Sequence, residues 1–172
     1  MSHKEQFSNI ILVGLSGTGK STVSELLAQR LNYRLVDIDA EIVRTEQRPI
    51  VDIFADEGEA YFRQAECDCL CRVVKNQHQI IATGAGAVLR PDNCEAMLAG
   101  GLVVALTASL ESIVARIQGN TERPLLAGNV EEKVRRMMEE RKDAYRFAHV
   151  TINTEGRSAA EVASDILTQY RV

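Results

Sequence analysis

The stretch Asn9-Ile-Ile-Leu-Val13-Gly14-Leu-Ser-Gly17-Thr18-Gly19-Lys20-Ser21-Thr22 decides the fold of this chain. Asn9–Val13 reads as a buried strand that stops at Gly14, and Val23, Leu26, Leu27 and Leu31 follow at helical spacing. Strand, glycine-rich turn and helix therefore succeed one another, and the turn fits G-x-x-x-x-G-K-[ST] at every fixed position. Glycines let backbone N–H groups turn inward onto phosphate oxygens, and the helix N-terminus adds a favourable dipole. Lys20 is then expected to reach the β- and γ-phosphates, and the Ser21 hydroxyl to ligate Mg²⁺. A chance glycine-rich turn would lack the flanking strand and helix, and a dinucleotide-binding loop has no call for Lys-Ser. The expectation is a nucleoside triphosphate site built from Gly17, Thr18, Gly19, Lys20, Ser21 and Thr22.

Outward from this loop, the same alternation continues. Arg34–Asp37, Gln79–Ala82, Leu102–Leu106 and Val150–Ile152 read as further short strands. Helical spacing is expected in Ile50–Phe54, in Ala60–Asn76 after a break near Gly58, and around Ile113, Val114 and Ile117. Glu131–Phe147 reads as a charged helix, and Ala160–Tyr170 as a closing one with Ala163, Ile166, Leu167 and Tyr170 on one face. Residues 119–129 hold two Gly and one Pro and read as an exposed loop. Short apolar strands alternating with helices predict an α/β protein, a three-layer α/β/α sandwich around a five-stranded parallel sheet of the P-loop NTPase type. With 172 residues, residues 1–172 are expected to form one domain.

Composition narrows the function. Twenty basic against 24 acidic residues give a net charge of −4, a poor match to general nucleic-acid binding, which wants a basic face. Of the 20 basic residues 15 are Arg, the side chain suited to forked capture of phosphate and carboxylate. No apolar run approaches the ~18 residues of a membrane span, and no apolar signal follows the N-terminus, so a cytoplasmic protein with no membrane partner is expected. Cys67, Cys69 and Cys71 are too close in sequence to staple a fold. Cys67 and Cys71 lie one helical turn apart, but further metal ligands at zinc spacing are not supplied. The plainer reading is small buried side chains in a reducing compartment.

A phosphate loop does not by itself separate ATPase, switch and kinase. The carboxylate that usually ends an apolar strand is missing, because the third strand ends in Thr83-Gly84 and the fourth in Thr107. Asp37-Ile38-Asp39 follows the second strand instead. Alternation in an extended segment would put both carboxylates on one side, one for the metal and one for an acceptor hydroxyl. Alternatively, Asp39 caps a helix beginning at Ala40.

With these residues in view the chain resembles the shikimate kinases, P-loop small-molecule kinases of the nucleoside-monophosphate-kinase-like fold. The resemblance covers nearly the whole chain: the phosphate loop, Asp37-x-Asp39, the run from Asp52 to Phe62-Arg63-Gln-Ala-Glu66, Thr83-Gly84-Ala85-Gly86, Arg123-Pro-Leu-Leu126, and Arg141-x-x-x-Tyr145. It implies transfer of the γ-phosphoryl of ATP to the 3-hydroxyl of shikimate, with Mg²⁺ as cofactor and no partner beyond these substrates, in a monomer. It places Lys20, Asp39 and Arg123 in catalysis, Asp39 orienting the hydroxyl, and Ser21 and Asp37 on the metal. Arg63 and Arg141 would hold the substrate carboxylate with Glu66 bracing Arg63, Phe54 and Phe62 would wall the ring, and Gly84, Ala85 and Gly86 would line its site. Arg116 and Arg157 fall at positions around adenine. Residues 119–129, with Arg123, would form a mobile lid, and residues 39–66 the substrate-binding helices. Plain readings stand beside these: Arg63 as a surface partner of Glu66, Arg141 on a solvated charged face, Arg157 as a turn residue. The family's Gly-Gly-Gly is Gly84-Ala85-Gly86 here, and the Ala85 Cβ excludes conformations open to glycine. A gluconate-type kinase is the alternative among enzymes, and a nucleotide-binding regulatory module that has lost chemistry the alternative outside them.

Overall fold

The computed structural model describes residues 7–118 and 130–170. Its centre is β1 (Asn9–Val13), flanked by β3 (Gln79–Ala82) and β4 (Leu102–Thr107), with β2 (Arg34–Asp37) and β5 (Val150–Asn153) at the edges. The order is β2-β3-β1-β4-β5 and every neighbouring pair is parallel. Ile11 stands opposite both Ile81 and Val103, and Asp37 opposite Ala82. All five strands therefore end at one edge of the sheet, where an open parallel sheet binds its ligands.

Strand periodicity sends alternate residues to opposite faces. Ile11, Val13, Val36, Ile81, Val103 and Ala105 face α2 (Ile38–Glu46), α3 (Ile50–Glu57), α4 (Glu59–Val73) and α5 (Pro91–Gly100). Ile10, Leu12, Ile80, Val104 and Leu106 face α1 (Lys20–Leu31) and α8 (Ala159–Tyr170). With both faces covered, the inner strands carry apolar runs instead of alternation. Beyond the strand ends, Leu15, Ala108, Ile113 and Val134 form a smaller cluster that seats α6 (Leu110–Gln118) and α7 (Val130–Glu140) beside the phosphate loop. The three-layer α/β architecture expected from the sequence is what the chain adopts.

The structure corrects several local readings. The extended backbone ends at Asp37 and does not reach Asp39: α2 starts at Ile38, and Asp37, not Asp39, caps it by accepting from the Ala40 N–H at 3.1 Å. The helix expected over 131–147 stops at Glu140. Past it the N–H groups of Ala144, Arg146 and Ala148 reach back three residues, a tighter winding. That winding lets Ala144, Tyr145, Phe147 and Ala148 pack on the core beneath α2–α5. α5 is an addition to the expected elements. Its buried positions are Asn93 and Met97, so a polar residue in a core position hides the apolar spacing, although Pro91 at its first turn is a start signal. The expected lid, residues 119–129, lies outside the described residues. Cys67 and Cys69 are buried, Cys71 and Cys94 half-buried, and all four thiols are free.

Candidate active site

The site is built at the carboxyl edge of the sheet from the loops that follow β1, β2, β3 and β4. Between β1 and α1 the chain turns back under the edge of β4. At Gly14, φ is +146°, and a Cβ there would stand 2.6 Å from the Leu106 carbonyl oxygen, so only glycine fits. Thr18 is buried, and its hydroxyl donates to the Leu15 carbonyl at 2.8 Å, which holds the loop closed. The Thr154 hydroxyl, just past β5, lies 3.0 Å from the Thr107 carbonyl and 3.3 Å from that of Thr18. Sequence reasoning passed over Thr154, although its place after a strand end was the available signal. Gly19 caps α1 in a left-handed conformation, with no side chain on the first N–H groups and no acid in the first turn. Those N–H groups are therefore suited to receive an anion, with no first-turn carboxylate competing for them. The Lys20 ammonium donates to the carbonyls of Gly14 and, at 3.0 Å, of Leu15.

These groups open onto a cleft of about 340 Å³. Gly17, Gly19, Lys20, Ser21 and Thr22 line one side of it, and Asp37, Asp39, Gly84 and Ala85 another. Arg116 of α6 closes a third side, its Nη1 donating to the Gly17 carbonyl at 2.8 Å. Cleft and carboxylates thus meet as expected, but through helix geometry: Asp37 is the cap and Asp39 sits one residue into α2. Arg157 is not among the lining residues. It pairs with Asp165 of α8. Arg123 lies outside the described residues.

A second group of side chains adjoins Asp39 across the turn after β3. A Cβ on Gly84 would lie 3.0 Å from Asp39 Oδ1 and 3.5 Å from Glu66 Oε2. A Cβ on Gly86 would lie 2.6 Å from Arg63 Nη1 and 2.7 Å from Cζ, so the guanidinium rests on the bare α-carbon. Neither glycine has a positive φ, and nor does Ala85. The turn therefore asks for glycine at 84 and 86 for space, while the backbone at 85 suits an alanine. Arg63 Nη1 donates to Glu66 Oε1 at 2.9 Å, and Glu66 is 1% exposed. Burial raises the Glu66 pKa and Asp39 adds to that rise, while Arg63 and Arg141 oppose it. Bracing, not a surface pair, describes Arg63 and Glu66.

Phe54 and Phe62, the expected aromatic wall, lie side by side. The rings of Phe54 and Phe62 are 4.7 Å apart and the Arg63 Cζ stands 5.3 Å from the Phe62 centroid. Phe62 is buried and Phe54 is 37% exposed. Arg141 follows α7, makes no ion pair among the described residues, and its charge is felt by Glu66 and Tyr145. The Tyr145 hydroxyl donates to the Ala85 carbonyl at 3.0 Å, a contact across 60 residues that the sequence did not disclose. The cleft joins the phosphate-binding loop to the Asp37 and Asp39 carboxylates. Across the 84–86 turn it adjoins, without being lined by them, an arginine held by a buried acid and an aromatic pair; Arg141 and Tyr145 line a separate pocket. Together these groups are the equipment for moving a phosphoryl group onto a hydroxyl of a ring that carries an anionic substituent.

Comparison with known proteins agrees. The family model described as shikimate kinase matches residues 16–171. A shikimate kinase from Geobacter sulfurreducens is 42% identical over 172 residues, 99% of this chain and 95% of the relative. The solved shikimate kinase from Acinetobacter baumannii in complex with shikimate superposes with a TM-score of 0.87 at 36% identity, covering 96% of this chain and 93% of that one. A gluconokinase from Sinorhizobium meliloti covers 98% of this chain and 94% of its own with a TM-score of 0.63, but at 18% identity it shares the fold alone. The chain belongs to the shikimate kinase family.

Proposed function

We infer that this protein is an ATP-dependent shikimate kinase that transfers the γ-phosphoryl group to the 3-hydroxyl and releases ADP. The observation that carries the reading is the placement of Asp39 in one cleft with Lys20 and Ser21, while Arg63 is seated on the adjoining turn. ATP places its phosphates along the N–H groups of Gly17–Thr22, with Lys20 leaving its loop carbonyls for the β- and γ-phosphates. Arg116 covers the loop, and Arg123 adds charge to the phosphates. Arg63 and Arg141 hold the substrate carboxylate, and the Phe54 and Phe62 rings pack on the cyclohexene face. Asp39 accepts the 3-hydroxyl proton and aims the oxygen in line with the γ-phosphorus. Most of the rate then comes from positioning and charge stabilisation.

The residues fit a divalent cation of the hard, oxygen-seeking kind. The Ser21 hydroxyl and the Asp37 carboxylate line one cleft and would hold the ion there, Asp37 through water. Bound there, Mg²⁺ supplies neutralisation of the phosphate charge. The four free thiols support a reducing, cytoplasmic setting, and a monomer suffices where one chain builds both ligand sites.

Release of ADP measured with shikimate, gluconate and nucleoside monophosphates tests the assignment. Turnover with shikimate alone is expected. Turnover with gluconate or a nucleotide and none with shikimate would replace it with the rival kinase, and nucleotide binding without turnover would leave a binding module.

A further inference from the structure

We propose that Tyr145 is a positioning residue for the substrate site, holding the turn 84–86 against which Asp39 and Arg63 are set. The inference rests on the shikimate kinase reading. The carbonyls on either side of Ala85 are bonded within their own segment, Gly84 to the Ala87 N–H and Gly86 to the Leu89 N–H. The Ala85 carbonyl instead accepts from the Tyr145 hydroxyl at 3.0 Å, which ties the turn to the segment after α7. Gly84 faces Asp39 and Gly86 carries the Arg63 guanidinium, so the bond anchors the midpoint between two substrate groups. The same ring lies beside Arg141, four residues earlier in the chain. Burial raises the pKa of the Tyr145 hydroxyl, so it remains a donor at neutral pH. The tie runs through the backbone of residue 85, so alanine in place of the family's glycine leaves it intact.

The test is Tyr145→Phe, which keeps the ring in the core and deletes only the donor. Losing one buried hydrogen bond and leaving a carbonyl unpaired is expected to raise the KM for shikimate about three- to tenfold. The KM for ATP should stay within a factor of two. Tyr33→Phe is the control, because the Tyr33 hydroxyl pairs with that of Tyr170 at 2.8 Å and Tyr33 lies outside the cleft lining. A double-mutant cycle with Arg63→Lys should give effects on the shikimate KM that do not multiply. A lower melting temperature with both kcat and the shikimate KM unmoved would make Tyr145 purely structural and overturn the proposal. So would a cycle in which the two effects multiply. A wild-type protein inactive on shikimate would fail the functional assignment and this role with it, whereas an active wild type with an indifferent Tyr145→Phe would fail this role alone.

Discussion

Gly86→Ala separates a steric requirement from a conformational one. At Gly86 the backbone sits at φ −91°, ψ 0°, which alanine adopts without strain. The added methyl would stand 2.6 Å from Arg63 Nη1 and 2.7 Å from its Cζ, about 1 Å inside ordinary contact. Arg63 cannot yield freely, because Glu66, 1% exposed, holds Nη1 at 2.9 Å and Glu59 lies 3.6 Å from Nε. Displacing the guanidinium loses a charge-assisted bond to the substrate carboxylate, about 1.5–3 kcal/mol. At 1.4 kcal/mol per decade the KM for shikimate should rise roughly ten- to a hundredfold. Steady-state ADP release, with shikimate and ATP varied in turn, should show that rise and an ATP KM within about twofold of wild type. A shikimate KM that stays within twofold would refute the seating of Arg63 on Gly86.

Three further predictions follow from the same geometry. Asp39→Asn should lower kcat by about 100-fold or more, the usual worth of a positioned base, with little change in ATP affinity measured by titration calorimetry; near-wild-type turnover would remove Asp39 from the chemistry. Arg141→Ala should act mainly on the shikimate KM, and an unchanged KM would return Arg141 to the solvated face. His149 Nδ1 accepts from the Val103 N–H at 2.9 Å, and burial lowers its pKa below the usual 6.5. The unfolded chain then binds more protons between the lowered value and 6.5, so this contribution is complete above 6.5 and is lost as pH falls through that window. The melting-temperature gap between wild type and His149→Gln should accordingly narrow below pH 6.5, and a gap constant with pH would contradict it.

What was legible in the sequence was what depends on local pattern. Ile10–Val13 and Leu102–Leu106 announced themselves as apolar runs because both faces of their strands are covered. The spacing of Gly14, Gly19, Lys20 and Ser21 sufficed for the phosphate loop, since its residues are contiguous. Arg63 and Glu66 are one helical turn apart, so their pairing was within reach, but that the pair is buried depends on neighbours the sequence does not show. The relation of Asp37 to Asp39 was misjudged because α2 begins one residue after the strand, and a strand period does not survive that change. α5 was hidden by Asn93, whose Nδ2 donates to the Ala87 carbonyl inside the core. Arg157 was assigned on motif position, and its ion pair with Asp165 emerges only once α8 is folded back beside it. The Tyr145–Ala85 bond spans 60 residues, and contacts of that range are written by the fold and not by spacing.

The most direct test of the central claim is the identity of the product. The protein incubated with ATP, Mg²⁺ and shikimate should yield ADP and a phosphate ester in which phosphorus couples, in a proton–phosphorus correlation spectrum, to the ring proton at carbon 3. Asp39 held beside Gly84, with the carboxylate fixed by Arg63, predicts that single ester. Inorganic phosphate as the only product, or an ester at another hydroxyl, would contradict the account.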